Sequence, residues 1–156
     1  MDVHAWLLEP DQQRLAPHGG VTFERISMVL PTSMRLRGHR CFDYLHRRGQ
    51  RFHGSLMTLR KASAMPRLLR WECRPVGESG ETAVCRCAVV ISSKVSKRAV
   101  IRNRLRRLLH DHLREHFEQS FQHSNTWVLI SLKPGAEAKD APVLEECDRL
   151  LQQAGY

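Results

Sequence analysis

The chain has 156 residues, enough for one domain with a real core and too few for two comfortable ones. Hydrophobic residues make up 42% and charged residues 26%, the balance of a soluble globular protein, and the longest purely apolar runs, such as Ala88–Ile91, fall far short of the roughly 20 residues of a membrane-spanning helix. The net charge is +9, and only Lys61, Lys94, Lys97, Lys133 and Lys139 among the 25 Lys and Arg are lysine; an arginine bias suits a phosphate-binding surface, because guanidinium forks match phosphate oxygens and stack on bases.

In chain order, residues 1–27 mix Pro, Gly and Gln with one short apolar patch at Ala5–Leu8. They read as a poorly ordered extension ahead of a single domain, residues 28–156. The five cysteines are irregularly spaced and no basic, apolar export pattern opens the chain, so reduced thiols in a cytoplasmic protein are expected. Cys41, Phe42 and Leu45 share a side of a short helix over His39–Arg48, with Gly49 where a glycine often closes one. Alternation around Met57 and Leu59 predicts a strand over Arg51–Lys61. Leu69, Trp71 and Cys73 alternate with Arg70, Glu72 and Arg74 to predict a second, and Gly77–Glu81 is a turn. Residues 83–92 predict a third strand, central to the sheet because its end is continuously apolar.

The next helix has Ile101, Leu105, Leu108, Leu109 and His112 on its buried side. Trp127–Leu132 is a fourth strand, and Ala141–Gln153 a closing helix with Val143, Leu144, Leu150 and Leu151 inward. The order helix, three strands, helix, strand, helix is that of a two-layer α+β domain.

Charge is concentrated at the third strand's exit. Ser92–Leu109 has no acid, and seven cations lie between Lys94 and Arg107. Like charges at helical spacing repel, and an ordinary solvated helix mixes signs. On the helical wheel Asn103, Arg104 and Arg107 point away from the apolar stripe, while Arg102 and Arg106 flank it. A basic face continued into a basic loop is the footprint of a polyanion-binding element, driven by counterion release.

The order of residues in SSKVSKRAVIRNRLRRLL, with Arg102-Asn103-Arg104 at its centre, resembles the signature of the bacterial ribonuclease P protein component. LRGHRCFDYLHRRGQRF is similar to that family's opening helix and VLISLKPG to its late strand, so the likeness runs from about Leu30 to the C-terminus. The arginine-rich style is most similar to cyanobacterial members. The resemblance implies a two-layer sandwich of a four-stranded sheet with helices, like the second domain of ribosomal protein S5, with a left-handed βαβ crossover. It implies an accessory subunit of a ribozyme that removes the 5′ leader from precursor tRNA. The RNA and its Mg²⁺ would perform the hydrolysis, with no cofactor bound by the protein alone. Ribonuclease P RNA and the precursor-tRNA leader would be its partners, with no membrane, and the protein would be monomeric without RNA.

The resemblance assigns Lys94, Lys97, Arg98, Arg102, Asn103, Arg104, Arg106 and Arg107 to ribozyme docking, and Phe42, His46, Arg51, Arg60 and Arg86 to a leader cleft between the sheet and the first helix. Three positions depart from the family pattern. His46 stands where a second aromatic is expected, Ser93 where many members have lysine, and Arg60 near a position that is often aromatic. They imply a more electrostatic, less stacking-based grip on the leader.

Rival readings are a ribosomal or other structured-RNA-binding protein without a catalytic role, and a metal-dependent hydrolase built on the H-x-x-E-H of His112, Glu115 and His116. A five-residue match arises easily by chance, and these histidines fall near the helix's buried side. His110 and His123 are expected at the surface. Cys85 and Cys87, on one face of the third strand, lack the paired spacing of structural zinc and are expected as buried small residues, as is Trp127 in the core or at the cleft edge. No nucleophile–base pair or carboxylate pair is visible, so catalytic residues are not expected in the chain.

Overall fold

A computed structural model describes residues 30–69, 85–118, 125–138 and 141–156. The expected extension, the second predicted strand beyond Leu69, the turn at 77–81, Cys73, Trp71 and His123 lie outside them.

The first helix, α1 (His39–Arg48), has the predicted bounds. Cys41 and Leu45 are its buried residues, packing with Leu36, Leu69, Ala88, Trp127 and Leu129. Gly49 closes it with φ of −69°, so left-handed backbone is not why glycine is needed. A Cβ there would collide with the Leu45 carbonyl and meet Arg60 Cβ at 3.4 Å.

The stretch predicted as one strand is a hairpin, β1 (Gln50–His53) and β2 (Met57–Ser63), with Phe52 opposite Leu59. A continuous strand would have put Phe52 and Met57 on opposite faces, since they are an odd number of residues apart. The turn at Gly54–Leu56 restores the phase. It is held from outside the hairpin: buried Glu146 accepts the Leu56 amide at 2.8 Å and the Ser55 hydroxyl at 3.1 Å, and Lys133 Nζ donates to the Gly54 carbonyl at 2.6 Å. A Cβ on Gly54 would occupy the space of the Glu146 carboxylate.

After β2 the chain makes a 3₁₀ turn at Pro66–Leu68, whose first position is a proline with φ already suited to it.

The remaining elements are β3 (Arg86–Val90), α2 (Ala99–Glu118), β4 (Thr126–Leu132) and α3 (Val143–Gln153). The sheet order is β1-β2-β4-β3, antiparallel except for the parallel β3–β4 pair that α2 connects. The central strand with continuous burial is therefore β4, with Trp127–Ile130 all buried, and not β3, which among the described strands pairs with β4 alone. The outer edge of β3 is covered instead by the 35–36 segment: Leu36 N donates to Cys87 O at 2.8 Å and Arg86 Nη1 to Arg35 O at 3.2 Å. Covering an edge this way satisfies its main-chain groups and blocks strand addition.

One sheet face carries Met57, Leu59, Cys87, Val89, Val128 and Ile130 against α2 and α3; the other carries Ala88, Trp127 and Leu129 against α1. On α2 the buried positions are Leu105, Leu109, Leu113 and Phe117, an i,i+4 seam narrower than the predicted stripe. Leu108, expected inward, is 41% exposed and lines a groove with Ile101, Ala141 and Leu144. His112 leaves the seam to bond Asp148 on α3, Nε2 to Oδ1 at 2.5 Å. On α3, Val143, Leu150 and Leu151 are buried as predicted, joined by Glu146 and Cys147, while Leu144 is half-buried. No helix among the described residues is long and apolar enough to cross a membrane.

Candidate nucleic-acid interface

Two cationic surfaces flank the sheet. The first is the loop from β3 and the start of α2. Ile91 and Val95 are buried pegs, Val95 only 2% exposed, and a Ser92–Val95 turn closes between them with Val95 N on Ser92 O at 3.1 Å. With both pegs inward, Ser92, Ser93, Lys94, Lys97 and Arg98 stand exposed. The Ser96 hydroxyl accepts the Arg98 amide at 3.3 Å, and the helix begins at Ala99 with no acid in its first turn. Beyond it Asn103, Arg104 and Arg107 are exposed, and Arg102 and Arg106 half-buried, as the helical wheel requires.

Within this group the contacts differ. Arg102 Nη1 donates to the Ser96 and Lys97 carbonyls at 2.7 and 2.9 Å, and Arg106 Nη1 donates to Asn103 Oδ1 at 2.8 Å. The ion pairs found among the described residues are His39–Asp43, His112–Asp148, Arg114–Glu118 and Arg149–Glu146, so none neutralises a cation of this surface. Val100, 80% exposed, sits among these cations as an apolar knuckle that the charge pattern did not single out.

The second surface is the part of the sheet face beside α1, where the resemblance puts the leader cleft. The pairings Arg51↔Arg60 and His53↔Thr58, continued to Leu129 and Ser131 on β4 and to Ala88 and Val90 on β3, put these residues on the sheet face that α1 covers in part. Phe42 is half-buried and His46 exposed on α1. Partial burial, followed by the charge of Arg60 and then that of Arg51, holds the His46 imidazole below its ordinary pKa, although Asp43 opposes them. Desolvation and Arg51 likewise lower Arg60, whose buried Nε lacks a hydrogen-bond partner. His46, Arg51 and Arg60 are thus brought together. Arg86 shares their sheet face, but its guanidinium turns to the outer edge of β3 and the Arg35 carbonyl, away from that trio. Val90, 40% exposed, and half-buried Ser131 lie on the same sheet face and were not singled out; alternation along each strand placed them, but only the sheet order reveals which residues they stand beside.

His112 of the H-x-x-E-H is engaged by Asp148, His116 packs edge-on against Phe117 at 5.3 Å, and no group of three potential metal ligands forms among the described residues. His110, expected at the surface, is half-buried, and desolvation, then Arg35 and Arg106, lower its pKa. Cys85 and Cys87 are buried free thiols; their mutual hydrogen bond lowers the first, while burial raises the second. Burial pushes Cys147 up to about 12.

A family model described as Ribonuclease P matches residues 30–155. The ribonuclease P protein component of Synechococcus sp. (strain WH7803) is 62% identical over 128 residues, which span 82% of this chain and 98% of the relative. That of Prochlorococcus marinus (strain MIT 9313) is 65% identical over 129 residues, again 82% of this chain and 98% of the relative. Among solved structures, the RNase P protein from Thermotoga maritima in complex with 1-(4-fluorophenyl)-2-thiourea superposes with a TM-score of 0.57 at 16% identity, covering 76% of this chain and 98% of the other. The Staphylococcus aureus RNase P protein gives 0.55 at 15% identity, covering 78% and 94%. At those identities the structures establish the shared α+β fold.

Proposed function

The chain belongs to the ribonuclease P protein family, and from that premise we propose how its two cationic surfaces divide the work of an accessory subunit of the tRNA-processing endoribonuclease. The loop–α2 face docks ribonuclease P RNA, and the α1 cleft receives the single-stranded 5′ leader of precursor tRNA. The observation that carries the docking role is an arginine-rich helix face and loop with no carboxylate paired to it among the described residues. Each phosphate it neutralises releases counterions, so docking is strong and salt-sensitive.

The cleft grips by charge more than by stacking. Phe42 offers one aromatic face, worth ~1–3 kcal/mol against a base. His46, held below its ordinary pKa, presents a mostly neutral ring at neutral pH. Arg51 and Arg60 supply charge, and the unpartnered Arg60 Nε is a buried donor that a leader phosphate or base would satisfy. The protein contributes positioning and electrostatics, while RNA-held Mg²⁺ supplies the hydrolytic chemistry. It acts in the cytoplasm and is monomeric until it meets RNA.

Reconstitution tests the reading. Added to ribonuclease P RNA at low Mg²⁺, the chain should raise precursor-tRNA cleavage, and alone it should cleave nothing. Tight binding of the RNA with no change in cleavage would instead favour a structured-RNA-binding protein without a catalytic role.

A further inference from the structure

The docking loop presents a physical problem. Between the Val95 peg and the first helical residue, Ala99, lie Ser96, Lys97 and Arg98; the first is half-buried and the other two are exposed. This segment has no buried apolar side chain to hold it, and its two cations repel Arg102 one turn on. The helical ladder begins at the Arg98 carbonyl, which accepts the Arg102 amide at 3.2 Å. The Ser96 and Lys97 carbonyls precede that ladder, and both accept from one guanidinium nitrogen, Arg102 Nη1. A cation near a helix N-terminus is disfavoured by the helix dipole and by its charged neighbours. Two carbonyl oxygens pointing at it offset that cost.

We propose that Arg102 is a positioning residue, whose guanidinium ties the Ser96–Lys97 backbone to α2 so that Lys97 and Arg98 are already arrayed for phosphates when RNA arrives. The proposal deepens the docking role given above and rests on it. Both hydrogens of Nη1 are spent on the loop. Arg104 and Arg107, one helical face away, are exposed and unconstrained by any loop carbonyl, and they act as direct phosphate ligands. The arginines on either side of Asn103 therefore do different jobs, although the sequence writes them as a symmetric pair.

The test is a double-mutant cycle on the full chain, read by affinity for ribonuclease P RNA, with amide exchange of the free protein beside it. Arg102→Ala should weaken binding roughly tenfold in the native background but less than about twofold in a Lys97→Ala/Arg98→Ala background, because the residues it positions are gone. Arg104→Ala should cost the same factor in both backgrounds. In the free protein Arg102→Ala should speed exchange of the 92–101 amides, and Arg104→Ala should not. An equal cost of Arg102→Ala in both backgrounds would overturn the proposal and make Arg102 a direct contact, whatever the exchange shows. Unchanged loop exchange would overturn it as well. If Arg102→Ala does not fold, Arg102→Lys, which keeps the charge but not the planar fork, runs the same cycle. Should Lys97→Ala/Arg98→Ala and Arg104→Ala all leave binding untouched, the docking role itself fails, separately from the role of Arg102.

Discussion

The two cationic surfaces are built by different means. The docking face is local: one loop and the first turns of one helix supply every cation, and periodicity alone decides which point outward. The cleft is assembled from distant pieces. Phe42 and His46 come from α1, Arg51 and Arg60 face each other only because a hairpin sets their register, and Val90 and Ser131 join through the parallel β3–β4 pair. The docking face leans on helix packing, the cleft on the turn that fixes the hairpin. A fault in either support should damage its own surface first.

The largest effect is expected from Leu109→Ala. This residue is fully buried under the docking helix, and its loss should cost ~2–5 kcal/mol in denaturant unfolding. Affinity for ribonuclease P RNA should then fall more than leader-length-dependent affinity, because the packing lost is that of the docking helix. Glu146→Ala is the corresponding break under the cleft. It leaves the Leu56 amide and Ser55 hydroxyl without their carboxylate partner and should cost about 2–3 kcal/mol by the same assay. Affinity for leader-bearing precursor tRNA should fall more than affinity for ribonuclease P RNA; equal losses would mean the hairpin does not govern the cleft.

Arg60→Ala sharpens the comparison further. It should remove roughly 1–2 kcal/mol of leader-length-dependent affinity while docking of ribonuclease P RNA changes little, as measured with substrates of graded leader length. The smallest effect is a titration. His46 should titrate below 6.5 by NMR, and Arg60→Ala should move its midpoint upward. The sign for stability follows: the folded pKa is depressed, so the unfolded chain binds more protons between the folded midpoint and 6.5. Stability is full above that window and falls as pH drops through it. His46→Gln should remove that slope.

How much of this was legible beforehand followed the same local-versus-distant division. The bounds of α1 and the exposure of Asn103, Arg104 and Arg107 came directly from helical spacing. The hairpin did not, because Gly54 and Ser55 are a short turn signal inside an alternating run, and what fixes the turn is Glu146, about 90 residues away. The central strand was misassigned because burial on both faces, not composition, distinguishes β4 from β3, and residues 35–36 shield the β3 edge. Leu108 was misplaced because a stripe of apolar residues does not reveal how wide a seam the sheet covers. Arg86 was assigned by resemblance, and its turn toward Arg35 depends on a neighbouring segment that no spacing rule identifies.

The most direct test is the salt dependence of ribonuclease P RNA binding by the native chain and by Arg104→Ala/Arg107→Ala. If these exposed arginines hold phosphates, the double substitution should lower the slope of log K against log salt by about two, near one per lost phosphate contact. An unchanged slope in a folded variant would contradict the account, and the docking surface would have to be sought elsewhere on the molecule.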